Sequence, residues 1–161
     1  MKSSAVDDES RPDILVLGYG NRLRGDDALG LEAAAVLARR LASEPRVMVQ
    51  SAQQLTLDFA ETISHFRQVI LIDARQAGPV GEIFIQEIQP AQKLPQPFSH
   101  YLHPEELLGV CQNLYGALPS VVLTGINASQ FEIGESISPT VRDRLDHLLA
   151  QIEAIVRNEL L

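Results

Sequence analysis

Ile14-Leu15-Val16-Leu17-Gly18-Tyr19-Gly20-Asn21-Arg22-Leu23-Arg24-Gly25-Asp26-Asp27-Ala28-Leu29-Gly30 is the stretch that decides the fold. An apolar run of strand length ends in two glycines and an asparagine, residue types that permit a tight turn, and two carboxylates then stand at the head of a helix. Leu29, Ala33, Val36, Leu37 and Leu41 share one face of that helix, which is expected over about 27 to 43. Strand, turn and helix in this order open an α/β unit.

Working outward, apolar runs of strand length recur at 13–18, 46–50, 68–73 and 120–126, and most of the intervals carry helical periodicity. That alternation predicts an α/β fold with a largely parallel sheet. The last helix is the clearest. Ser138 is placed to cap it, Pro139 suits its first turn, and Val141, Leu145, Leu148, Leu149, Ile152, Ile155 and Val156 form a continuous stripe. Shorter helices are expected near 55–64 and from Pro104, where Glu105 and Glu106 complement the helix dipole. Residues 81–88 read as a strand. The joint before it, with Gly78, Pro79 and Gly81, is shorter than the dozen or so residues a parallel crossover needs, so this strand runs antiparallel, beside the strand that ends at Asp73. Pro90, Pro95 and Pro97 mark a loop rather than a boundary between domains. Residues 1–11, polar and acidic without an apolar segment, read as a disordered tail, and 12–161 as one domain.

The 161 residues suffice to bury roughly 70% of the unfolded surface without disulfides or a structural metal. With 45% hydrophobic residues, 5% aromatics and no Trp, the core is aliphatic. The net charge of −8 argues against nucleic acid and anionic lipid as partners. No apolar run approaches the ~18 residues of a membrane span, so a cytoplasmic protein is expected. The single cysteine, Cys111, excludes internal disulfides and reads as an inert core thiol on a helix face shared with Leu107, Leu108, Leu114 and Tyr115.

Gly18-Tyr19-Gly20 invites a dinucleotide fingerprint, but the third glycine position holds Leu23, and Asp26 and Asp27 place negative charge where a pyrophosphate would sit. One of the two acids is expected to do no more than cap the helix, and Asp26 is assigned that part. Asp73 ends the buried run Val69-Ile70-Leu71-Ile72. Open α/β sheets bind ligands outside the carboxyl ends of their strands, where Asp27 and Asp73 would face one crevice. Ser99-His100-Tyr101-Leu102-His103-Pro104 adds two histidines ahead of a helix, whereas His65 and His147 sit within helical patterns as surface or packing residues. Two carboxylates and an imidazole make a nitrogen and oxygen donor set suited to zinc, nickel or ferrous iron.

These features together resemble the maturation proteases of nickel-iron hydrogenases, endopeptidases that trim the C-terminus of the hydrogenase large-subunit precursor. The resemblance extends over about 14–156. It rests on the Gly-x-Gly-Asn turn followed by two acids and a glycine, here Gly18, Gly20, Asn21, Asp26, Asp27 and Gly30. Asp73, Ser99-His100, Thr124-Gly125-Ile126 and Ser138-Pro139-Thr140 support it. It implies a three-layer α/β/α sandwich whose five-stranded sheet has the order 2-1-3-5-4 with strand 4 antiparallel, which departs from the neighbour assigned to that strand above. It also implies that Asp27, Asp73 and His100 meet nickel brought by the precursor, with Asp27 and Asp73 as the catalytic carboxylates. His103 has no counterpart in the pattern. Where the family commonly shows a Gly-Gly-Thr turn after the second strand, this chain has Gln50-Ser51-Ala52-Gln53-Gln54-Leu55-Thr56, a region placed to shape substrate choice.

The hydrolytic step is open between metal-assisted attack and acid–base work by the carboxylates. Two other classes also remain: a metal-dependent hydrolase of a small substrate on the same fold, and a non-catalytic hydrogenase assembly factor. A monomer is expected, since no long apolar helix is left over.

Overall fold

A computed structural model describes residues 12–96 and 101–161. Strand β1 (Ile14–Tyr19) leads through a 3-10 turn (Gly25–Ala28) into α1 (Leu29–Arg40), and β2 (Val47–Ala52) and α2 (Phe59–Ser64) follow. Then come β3 (Gln68–Arg75), β4 (Ile83–Ile88), α3 (Pro104–Tyr115), β5 (Ser120–Asn127) and α4 (Pro139–Leu160). The strands form one sheet in the order β2-β1-β3-β5-β4, parallel except for β4, which runs antiparallel to β5. Class, order and direction agree with the expectation. The expected tail at 1–11 lies outside the described residues.

Linker length alone predicted the direction of β4 correctly and its neighbour wrongly. The joint from β3 passes across the end of β5, where Gly81 N–H donates to Asn127 O (2.7 Å) and Asn127 N–H to Glu82 O (2.8 Å). A short joint forbids a parallel crossover but can still step over one strand, because neighbouring strands lie only about 4.8 Å apart.

Both faces of the sheet are covered, which is why its central strands are continuous apolar runs. On one side Ile14 and Val16 of β1 and Ile70 and Ile72 of β3 pack with Leu29, Ala33 and Leu37 of α1 and Leu148, Leu149, Ile152 and Val156 of α4. On the other, Leu15, Leu17, Val69 and Leu71 meet Ile63 of α2 and Leu107, Leu108 and Cys111 of α3. Alternation within each strand thus deals its side chains to two separate cores. Cys111 is buried and its thiol donates to Ala117 O (3.4 Å), as expected of a core residue. Leu114 and Tyr115 are not buried with it: both are exposed at the carboxyl end of α3.

α1 ends three residues short of the predicted limit, with Leu41 as its C-cap. α4 starts as expected, Ser138 Oγ accepting from Val141 N–H (3.5 Å) with Pro139 in the first turn. Among the described residues no helix is long and apolar enough to cross a membrane.

Candidate functional site

The opening loop is a compact turn that folds back on itself. Gly20 has φ of +150°, and a Cβ there would lie 1.9 Å from Asp27 O, so any side chain at this position collides with the backbone that holds Asp27. Asn21 Oδ1 accepts from Leu23 N–H (2.9 Å), an Asx turn, while Asn21 N–H donates to Asp27 Oδ2 (2.8 Å). Arg24 N–H closes onto Asn21 O and Asp27 N–H onto Arg24 O, each at 3.1 Å. The glycine and the asparagine therefore set where the Asp27 carboxylate sits.

The two acids of the loop have separate surroundings. Asp26 is wholly buried and accepts from Ser138 N–H (2.7 Å), Ser138 O–H (3.1 Å) and Gln130 N–H (3.3 Å). It does not cap its own helix, as the sequence suggested; it joins the loop to the segment that begins α4. Nothing local signals this, since its partners lie more than a hundred residues away. Asp26→Ala should cost about 2–3 kcal/mol, because buried donors lose their acceptor, whereas Asp27→Asn should stay within about 1 kcal/mol of wild type. Urea unfolding of the two variants separates them, and equal losses would remove the distinction.

Asp73 comes to the same place from β3. The register pairs Gly18 of β1 with Ile72 of β3, so the next residues, Tyr19 and Asp73, stand side by side at the carboxyl ends of adjacent strands. Both line a pocket of about 290 Å³ together with Asp27, Arg24, Gln53 and Gln54. Burial first, and then the negative charge of Asp27, push the Asp73 carboxyl up to about 7, against the opposing pull of Ala74 N–H and the Tyr19 hydroxyl. Tyr19 itself is pushed well above its usual range, mainly by burial and then by Asp73, so it remains a hydrogen-bond donor to that carboxylate. Tyr19 was missed in the sequence. The signal available was its place in the inward-facing set Leu15, Leu17, Tyr19, which puts a hydroxyl at a strand end that also carries an acid.

A carboxyl raised from 3.8 to about 7 on folding stabilises the native state fully below pH ~4 and loses that contribution as pH rises through ~7. The metal-free protein should therefore lose on the order of 2–3 kcal/mol through Asp73 between pH 5 and pH 8, and Asp73→Asn should abolish that part of the loss. Thermal melts at the two pH values check this. The variant's advantage in Tm must be larger at pH 8, and an advantage independent of pH would contradict the burial of the charge.

His100 lies outside the described residues. Tyr101 and Leu102, which follow it, line the pocket, and Leu102 N–H donates to Leu55 O (3.2 Å). His103 is exposed and stands at the start of α3, where its N–H donates to Glu106 Oε2 (2.8 Å), half of a capping box. Its place in the fold is that of a helix start. His65 and His147 are exposed on helical segments away from the pocket. Among the described residues no three His, Cys, Asp or Glu side chains come close enough to hold a metal ion. The pocket thus brings together two carboxylates, one close to half-protonated at neutral pH, under a tyrosine hydroxyl, with amide and guanidinium groups at its wall. Such a pair is equipped for proton transfer or for a hard cation.

No family model matches the chain, and no curated protein matches it. Solved structures do. A [NiFe] hydrogenase maturation protease HycI from Thermococcus kodakarensis KOD1 superposes with a TM-score of 0.70 at 25% identity, over 92% of this chain and 93% of that one. The hydrogenase maturating endopeptidase HybD from E. coli gives 0.68 at 21% identity, over 91% and 93%. A hydrogenase 2 maturation peptidase from Thaumarchaeota archaeon SCGC_AB-539-E09 gives 0.63 at 22%, over 88% and 97%. With the sheet order and the single antiparallel edge already in place, the chain has the fold of the [NiFe] hydrogenase maturation proteases.

Proposed function

We propose that this protein is an endopeptidase that removes a C-terminal extension from the nickel-loaded precursor of a [NiFe] hydrogenase large subunit. The observation that carries the proposal is the meeting of Asp27 and Asp73 in one pocket, on a fold shared with proteases of that kind. The surroundings favour a protein substrate over a small one. Leu23, Tyr101 and Ile133 are 67%, 67% and 80% exposed on loops at the carboxyl end of the sheet, and Gly134 N–H on Leu23 O (2.8 Å) holds two of them together. Large apolar side chains left in water beside a polar pocket suit a docking face.

The donor chemistry fits nickel. Asp27 and Asp73 offer two oxygen ligands whose mutual repulsion a cation relieves, and His100 is proposed as the imidazole that joins them. The nickel belongs to the precursor, so this site reads the state of the substrate as well as acting on it. Nickel would polarise the scissile carbonyl or acidify a water beside it. The chain's own groups supply the rest. Asn21 N–H fixes one oxygen of Asp27, and the Tyr19 hydroxyl holds the Asp73 carboxyl. Gln53 and Gln54, in place of the family's glycine-rich turn, present side-chain amides to the peptide on either side of the bond.

The test mixes purified protein with nickel-loaded precursor and follows precursor mass. Loss of a C-terminal peptide is expected only with nickel present. Binding without any loss of mass would make the protein an assembly factor, and stoichiometric metal that survives dialysis of the protein alone would replace the substrate-borne nickel with a resident one.

A further inference from the structure

β2 is an outer strand of the sheet, paired with β1 on one side and, among the described residues, with no strand on the other. Its inward groups are identified by Gly20 N–H on Ala52 O (3.1 Å) and Ile14 N–H on Arg46 O (3.1 Å), which place the backbone of even-numbered residues toward β1. Alternation then turns the N–H and C=O of Val49 and Ser51 outward. Outer strands are normally protected by charge, proline or a bulge. Val47-Met48-Val49-Gln50-Ser51-Ala52 contains no charged residue and no proline, and it pairs with β1 residue for residue without a bulge.

Two further observations say what this edge accepts. The chain runs from β2 directly into Gln53 and Gln54, which line the Asp27 and Asp73 pocket, so a strand laid along the edge ends at the reaction site. Alongside the edge, on the α2 side of the sheet, lies a cavity of about 360 Å³ formed by Pro12, Met48, Phe66, Thr62, Glu61 and His65. Strand addition combines main-chain pairing with a pocket for an alternate side chain, and edge and cavity supply one each. Apolar walls with an acid at the margin suit the stem and charge of a Lys or Arg, and the net charge of −8 favours a basic segment.

We propose that the peptide segment following the scissile bond adds to the outer edge of β2 as an antiparallel strand, with a basic side chain in the Met48–Phe66 cavity. The inference rests on the endopeptidase function proposed above. The direction follows from which part of the substrate is free to move. Upstream of the cut the chain belongs to the folded, nickel-bearing body, whereas the extension is a tail, and leaving the carboxyl end of the sheet it must run back along β2. From Asp73 to the added strand is three strand spacings, roughly 14 Å, and from the end of β2 back to Met48 is another ~13 Å. At about 3.3 Å per residue the side chain in the cavity stands about seven to nine residues beyond the cut.

The experiment measures two quantities, cleavage kinetics and amide exchange. Val49→Pro and Ser51→Pro remove only outward N–H groups, and Met48→Lys places a charge of the same sign as the proposed basic side chain in the cavity. Each should raise KM for the nickel-loaded precursor about tenfold or more and leave kcat within about twofold. A precursor whose extension is cut back to four residues should show no difference between variants and wild type. In parallel, Asp27→Asn protein with intact precursor should show slowed exchange at the amides of Val49 and Ser51. Variants that fold and keep the wild-type KM overturn strand addition, as does cleavage without amide protection. Protection already present in free protein, or rising with its concentration, overturns it in favour of the chain's own segment or a second copy. Protection by precursor that wild-type protein never cuts supports the edge and sinks the endopeptidase reading, so the two failures are distinguishable.

Discussion

Asp27→Asn and Asp73→Asn are each expected to lower cleavage of a nickel-loaded precursor by about 10²–10⁴-fold, the range that removal of a positioned acid–base group produces. Neither substitution changes side-chain volume appreciably, and neither disturbs a core. Asp27 accepts a hydrogen bond from Asn21 N–H (2.8 Å), which an amide oxygen still accepts, and Asp73 keeps an acceptor for the Tyr19 hydroxyl. What each loses is charge. The double variant should be little worse than either single one, because the two groups act on one event and effects of such units are not additive. Precursor mass over time provides the measurement, with circular dichroism to show that the fold is intact. Activity within tenfold of wild type in either folded variant would remove that carboxylate from the chemistry. Asp26→Asn is the control with the opposite profile, a loss of stability with catalysis retained in the molecules that remain folded.

Gly30→Ala should be severely destabilising for the addition of a single methyl group. Gly30 lies in the first turn of α1, where the helix crosses the ends of β1 and β3, and a Cβ there would stand 2.5 Å from Tyr19 O, 2.6 Å from Ile72 O and 2.7 Å from Tyr19 N. All three are backbone atoms, so no side chain can rotate out of the way. The partner on the strand is equally tight, for a Cβ on Gly18 would meet Gly30 O at 1.9 Å. Relief requires α1 to lift from the sheet, which parts Leu29, Ala33 and Leu37 from Ile14 and Val16 and swings the Asp27 loop away from Asp73. We expect a loss of at least about 3 kcal/mol, beyond the usual range for overpacking, and a fall in Tm of about 6–12 °C or failure to fold. Alanine is otherwise the best helix former, so propensity alone predicts a gain of up to ~1 kcal/mol. A melt at or above the wild-type temperature would show that α1 accommodates the methyl group.

Much of the fold was legible because strand and helix periods alternate cleanly and each strand begins or ends at a turn signal. The direction of β4 followed from the length of its joint, but its neighbour did not, because joint length fixes what a chain cannot do rather than where it goes. Leu114 and Tyr115 were misplaced for a related reason. Periodicity assigns a face to a helix but does not say how far along its length that face is covered. That Asp27 and Asp73 face one pocket was legible from the loop after the first strand and the end of the third. Asp26 was not, since its partners Gln130 and Ser138 are brought to it only by the complete fold. Tyr19 was hidden in plain apolar company, a residue whose ring belongs to the core and whose hydroxyl belongs to the pocket.

The bonds from Ser138 to Asp26 tie the loop of the site to the start of α4, across 112 residues. During synthesis the loop that presents Asp27 emerges more than a hundred residues before its anchor. Contacts of such separation form late, after the entropy of closing the intervening chain has been met. A growing or truncated chain without α4 therefore holds Asp27 and Asp73 in its sequence but has nothing to fix the loop between them. The pocket becomes organised only once α4 has been added, so a copy that stops short of it carries the two carboxylates without the geometry that joins them.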